Sequence, residues 1–258
     1  MKRILFAGDS ITKGKLGCSF FVQLRKQFPH YELINLGRDG DTVSGIMART
    51  IGHLKHDSRY DLIVLTAGHN DIILPDFNAR SVAYKSIVKN LEKKGSIPAA
   101  DLPEFISQYE KFISAIRSGG DVPIILTTLS CLNEDLSSPA NGKRVVFNEA
   151  IRALALKNHL GLADIAQVYN TVLGAKETRD YFMDDLYESA LFDTLRCRTS
   201  EGVDRLSRKR RLHLTIDGIH PNAAGAKIYS DLLSGLISRY LEETHPNKNW
   251  QEQTHPGG

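Results

Sequence analysis

The sequence predicts one α/β domain, a parallel sheet with helices on both faces. Three observations lead there: short apolar runs of strand-forming residues recur along the chain, stretches with helical spacing separate them, and 258 residues suit one core. Single cores keep growing to about 250 to 300 residues before chains split into domains. Alternating strand and helix make βαβ units, and in such sheets ligands bind beyond the carboxyl ends of the strands.

Residues 4–7 are the first strand, a run of Ile, Leu, Phe and Ala that ends on Gly8. A helix follows over 20–28, then a strand over 33–36 closing on Gly37. A helix over 43–54 leads to the third strand, 62–66, whose Leu-Ile-Val-Leu-Thr is the purest strand pattern in the chain. Helices over 105–116 and 145–159 flank a strand over 122–128. The last helix runs from 223 to about 242, with Ile228, Leu232, Leu233, Leu236, Ile237, Tyr240 and Leu241 on one apolar stripe, the mark of a packing helix.

Two segments fit this alternation poorly. Residues 75–103 carry three prolines and a Lys-rich stretch, and residues 174–212 are charged and only weakly periodic. Both read as insertions within a domain spanning 1–243, of the kind that become lids or substrate walls. Residues 244–258, with Thr-His-Pro twice and a closing Gly-Gly, lack any core-forming pattern and read as a disordered tail.

Composition narrows the function classes. The net charge of +3 is too small to argue for nucleic acid as a partner. Cys18, Cys131 and Cys197 form no Cys-x-x-Cys pair. An acidic residue arrives at Asp9, too soon for a signal-peptide core, and no window suits a membrane span, so a cytoplasmic protein is expected. Residues 8–15 miss the phosphate-loop spacing, because Leu16 follows Lys15 where Ser or Thr is required. Thr12 stands where the Gly-x-Ser-x-Gly elbow needs its second glycine, and His53 and His56 lack a metal-binding pattern. No cofactor and no metal are expected. The basic run 205–211 reads first as a solvated loop and, being close to Asp217, as a possible contact for an acidic substrate.

Chemistry gathers at the strand ends. Gly8-Asp9-Ser10 follows the first strand, but a serine hydroxyl is a weak nucleophile that needs a base in hydrogen-bond reach and a group to orient the base. Asp217-Gly218-Ile219-His220-Pro221, just before the last helix, supplies both: Pro221 keeps His220 out of helical backbone, and Gly218 lets the chain fold back so that the carboxylate reaches the imidazole. An imidazole suits proton transfer near neutral pH. Acyl transfer also needs donors for the developing oxyanion. Gly40, after the second strand, can expose its amide, and Asn70, in Gly68-His69-Asn70-Asp71 after the third, offers a side-chain amide.

These four segments, in this order, resemble the blocks of the SGNH (GDSL-type) hydrolase superfamily. The resemblance spans residues 8–221 and implies a flavodoxin-like three-layer α/β/α sandwich. It implies Ser10 as nucleophile with its own amide as one oxyanion donor, Gly40 and Asn70 as the others, and Asp217 and His220 as the rest of a triad. The third block usually carries a small or hydroxylated residue where this chain has His69. His69 is either a substrate contact or a structural group, and Asp9, beside the nucleophile, is the other candidate for substrate contact. The expected activity is hydrolysis of small carboxylic esters, O-acetylated sugars included, through an acyl-enzyme on Ser10. Lysophospholipids, acyl thioesters, acyl transfer to an alcohol and an idle glycan- or lipid-binding module are the alternatives.

Overall fold

The computed structural model describes residues 1–183 and 193–242. The expectation of a disordered tail over 244–258 lies outside the described residues, as does part of the segment 174–212. Among the described residues, five parallel strands form one sheet in the order β2-β1-β3-β4-β5: Arg3–Gly8 (β1), Glu32–Asn35 (β2), Leu62–Thr66 (β3), Ile124–Thr127 (β4) and Gly161–Ala163 (β5). The register pairs Phe6 with Asn35 and Gly8 with Thr66, so β1, β2 and β3 end side by side. This is the three-layer sandwich expected from the alternation of elements.

The central strands are buried on both faces, which is why they read as continuous apolar runs rather than alternating ones. Phe20–Gln27 (α2), Ile165–Gly174 (α8) and Ala223–Glu242 (α11) pack together on one face; Val43–Leu54 (α3), Leu102–Arg117 (α6) and Pro139–Lys157 (α7) pack together on the other. Phe20 stacks on Tyr229 with ring centroids 5.1 Å apart, joining α2 to α11. The helices start where short polar side chains can cap them: Asp101 accepts from the Glu104 amide and Ser138 from the Asn141 amide, each followed by a proline in the first turn. β5 was not foreseen, because Gly-Leu-Ala is short and has no β-branched residue.

The segment 75–103 is more regular than its prolines suggest. The helix that begins in the third block, His69–Ala79 (α4), continues through Pro75, and a further helix, Val82–Glu92 (α5), packs against it. Pro75 removes one backbone donor at an exposed position without ending the helix. The basic run also departs from the solvated loop expected of it. Residues 205–209 finish the helix Ser200–Lys209 (α10), whose Val203, Leu206 and Ser207 are buried. Arg210 turns inward, donating to Asp193 and to the Ile216 carbonyl, both at 2.9 Å, and covering the Tyr181 ring. Among the described residues no helix is long and apolar enough to cross a membrane.

Candidate active site

Because β1 stops at Gly8 and a short helix, Ser10–Lys13 (α1), starts at once, Ser10 projects at the carboxyl edge of the sheet. Asp9 caps α1, its Oδ1 accepting from the Ile11 amide at 2.9 Å. Far along the chain, residues 215–221 form a tight excursion closed by an antiparallel bridge between Thr215 and Pro221 and by the bond from the Ile216 amide to the His220 carbonyl. Gly218 makes its turn possible: its φ is +92°, and a Cβ there would lie 2.4 Å from the Tyr181 carbonyl oxygen.

This excursion brings His220 Nε2 to 2.9 Å from Ser10 Oγ, while His220 Nδ1 lies 2.7 Å from Asp217 Oδ2. The other Asp217 oxygen accepts the amides of Ile219 and His220, so the carboxylate is fixed by its own loop before it orients the ring. A carboxylate only accepts, so Nδ1 carries the proton and Nε2 is free to accept from the Ser10 hydroxyl. Burial disfavours the charged form of both partners, yet their mutual attraction and hydrogen bonding outweigh it. The Asp217 carboxyl is held below the ordinary range, and the His220 pKa is raised, with Asp9 and Asp39 adding to the effect.

Two further strand ends complete the arrangement. Gly40, at φ +68°, lines the same pocket as Ser10 and His220, with Leu91 of α5 packed so close that an added Cβ would lie 2.7 Å from it. Asn70 sits in the first turn of α4, also on the pocket wall, and donates through Nδ2 to the Asp41 carbonyl at 2.9 Å. That bond uses one of the two Nδ2 protons and leaves the other. Among the described residues neither the Ser10 amide nor the Gly40 amide has a hydrogen-bond acceptor.

Asp9 and His69, the two candidates for substrate contact, face each other in the structure. Asp9 is fully buried, and its Oδ2 faces His69 Nδ1 at 3.2 Å. The Ser130 amide donates to His69 Nε2 at 3.2 Å, so the ring proton belongs on Nδ1 and is directed to Asp9. His69 forms part of the pocket surface, but both ring nitrogens are spent holding the β1 loop to the segment after β4.

Several buried or half-buried side chains that the motifs do not single out fasten the site. Arg49, on α3, donates to the carbonyls of Gly8 and Leu36 and pairs with the buried Asp41, tying the ends of β1 and β2 together. Burial and the nearby Arg38 lower its pKa to about 10. Asp71 accepts the Val43 amide at 3.0 Å and the Ala99 amide at 3.1 Å, and burial pushes its carboxyl up to about 7. Glu134, fully buried, accepts the amides of His213, Leu214 and Thr215 at 2.6, 2.8 and 2.7 Å and the Thr215 hydroxyl at 2.8 Å. Asp41 and Asp71 lie inside recognisable motifs and were legible in principle; Glu134 carries no local signal at all.

The sequence model of the GDSL-like lipase/acylhydrolase family matches residues 6–228. No curated protein matches the chain. Among solved structures, the acetyl xylan esterase AlAXEase is similar with a TM-score of 0.62 at 19% identity, over 91% of this chain and 99% of that one. A lipase/acylhydrolase from Enterococcus faecalis has a TM-score of 0.59 at 18% identity, over 93% and 96%. A catalytic mutant of an acetylxylan esterase from Geobacillus stearothermophilus has a TM-score of 0.60 at 16% identity, over 92% and 94%. At these identities the likeness is one of fold.

Proposed function

The chain belongs to the GDSL-like lipase/acylhydrolase family, and on that premise we propose that it is a serine esterase that hydrolyses carboxylic esters through an acyl-enzyme on Ser10. The observation that carries this reading is the pair of contacts at His220, 2.9 Å to Ser10 Oγ and 2.7 Å to Asp217. Ser10 Oγ attacks the ester carbonyl carbon as its proton passes to His220 Nε2. The carbonyl oxygen becomes an oxyanion that accepts from the Ser10 and Gly40 amides and the remaining Asn70 Nδ2 proton. Collapse of the tetrahedral species breaks the bond to the alcohol oxygen, which takes the proton from His220 and leaves. Water then gives a proton to His220 and attacks the acyl carbon, and Ser10 recovers its proton as the carboxylic acid departs.

The test is labelling by a fluorophosphonate probe together with turnover of p-nitrophenyl esters, wild type against Ser10→Ala. The wild type is labelled and active, and the variant is unlabelled and slower by about 10⁴-fold or more. A wild-type protein that is neither labelled nor active ends the reading.

A further inference from the structure

Resting on Ser10 as the nucleophile, we propose that the pocket beside it takes a hydrocarbon chain of the ester, so that the substrate carries a chain of several carbons rather than only short groups such as those of methyl acetate. The pocket has a volume of about 310 Å³. One water needs only about 10 to 15 Å³ of such space, and an acetyl methyl is of similar size, so the pocket holds far more than an acetyl group. Its far wall is apolar: Ile73, Leu74 and Phe77 come from α4, and Ile87 and Leu91 from α5.

The wall adjoins the reacting groups from two directions. α4 also carries Asn70, and Leu91 packs against Gly40. Residues 182–183, which brace the wall, also meet the excursion that carries His220: the Met183 amide donates to the Asp217 carbonyl at 3.0 Å. The wall is therefore within reach of hydrocarbon at either end of the ester.

The wall is also braced in shape. The Tyr84 hydroxyl donates to the Met183 carbonyl at 2.7 Å, and Arg80 donates to the Phe182 carbonyl at 3.2 Å while covering the rings of Phe77, Tyr84 and Phe182 at 5.0 to 5.3 Å. Pinned to residues 182–183, the α4–α5 pair holds its cavity open before substrate arrives. A preformed apolar cavity favours ligands that fill it.

The experiment compares kcat/KM of the wild type for methyl acetate and for the isomers methyl octanoate and heptyl acetate, with fluorophosphonate labelling of Ser10 in parallel. At least one long ester is turned over faster than methyl acetate, by up to about fourfold per added methylene. Ile87→Trp, which fills the wall, lowers that ratio at least tenfold. Labelled enzyme that takes methyl acetate as well as it takes either long ester overturns the hydrocarbon pocket and leaves the esterase reading standing. An unlabelled Ser10 overturns both. The comparison of esters needs no variant, so a poorly folded Ile87→Trp does not blunt the test.

Discussion

Glu134→Gln is the sharpest probe of how the Asp217–His220 excursion is held. Backbone N–H groups only donate, so three amides and a hydroxyl converging on one side chain require an acceptor-only group. Glutamine keeps the oxygen that meets Leu214 and Thr215 but turns an NH₂ toward the His213 amide, which loses its 2.6 Å acceptor and faces another donor. A charge-assisted bond contributes about 1.5 to 3 kcal/mol and a stranded buried donor costs about 1 to 3 kcal/mol, counted largely once for the same group. With the three other bonds weakened by loss of the charge, the expected destabilisation is about 2 to 4 kcal/mol. The assay is urea unfolding followed by fluorescence, in which the midpoint falls and the slope is kept. Catalysis suffers further, since a misplacement of about 1 Å at the reacting groups can cost about 10²-fold in rate. A Glu134→Gln protein with the wild-type midpoint and wild-type kcat/KM refutes the argument that this carboxylate sets the loop.

On the proposed mechanism Asn70→Ala removes one oxyanion donor and lowers kcat about 10²- to 10³-fold with little change in KM, read by steady-state kinetics on a p-nitrophenyl ester. His220 acts as a base only when unprotonated, and its raised pKa moves the acid limb of kcat/KM above pH 6.5, histidine's ordinary value. Asp39→Asn takes away one of the charges that raise it, so the limb shifts to lower pH; a limb that stays put or moves up contradicts the attribution. Asp71, pushed up to about 7 from 3.8, holds its proton more tightly in the folded state. Its effect on stability is therefore most favourable below about pH 4, weakens as pH rises and levels off above about pH 7. Asp71→Asn removes that slope, and the difference in unfolding free energy between wild type and variant, measured from pH 4 to 8, should change by an amount on the order of 4 kcal/mol.

The layers of the fold and the meeting of Ser10, Gly40, Asn70, Asp217 and His220 were legible because each rests on local sequence. Runs such as Leu62–Thr66 are apolar on both faces, which only a covered parallel strand requires, and the register of β1, β2 and β3 then lines up their following loops. What was not legible depends on contacts distant in sequence. The helix over 82–92 is an exception: Tyr84, Ile87, Val88 and Leu91 recur at helical spacing opposite the exposed Lys85, Ser86, Lys89 and Asn90, a pattern present in the sequence but set among prolines and lysines that read as an insertion. Arg210 reads as one more charge in a basic run. Only the fold brings Asp193 and the Ile216 carbonyl to it.

A common device runs through the site. Loops that carry residues of the proposed site are held by buried or half-buried side chains of complementary polarity from other elements. Asp9 meets His69; Arg49 holds the carbonyls of Gly8 and Leu36; Asp71 holds the amides of Val43 and Ala99; Glu134 holds residues 213–215. Burying such groups costs stability, and apolar residues packed in their place would often do as well or better for the fold alone. Apolar packing, however, does not fix a carbonyl or an amide in direction, whereas a carboxylate or guanidinium does, through several short bonds at known angles. Directed bonds are what the proposed oxyanion pocket and the 2.9 Å contact of His220 with Ser10 need, because both depend on orientation within a fraction of an ångström. The concentration of these clamps at the carboxyl edge of β1, β2 and β3, while the sheet itself is sealed by hydrocarbon, follows from that division: the apolar core sets the fold, and the buried polar groups set the aim of the groups at its edge.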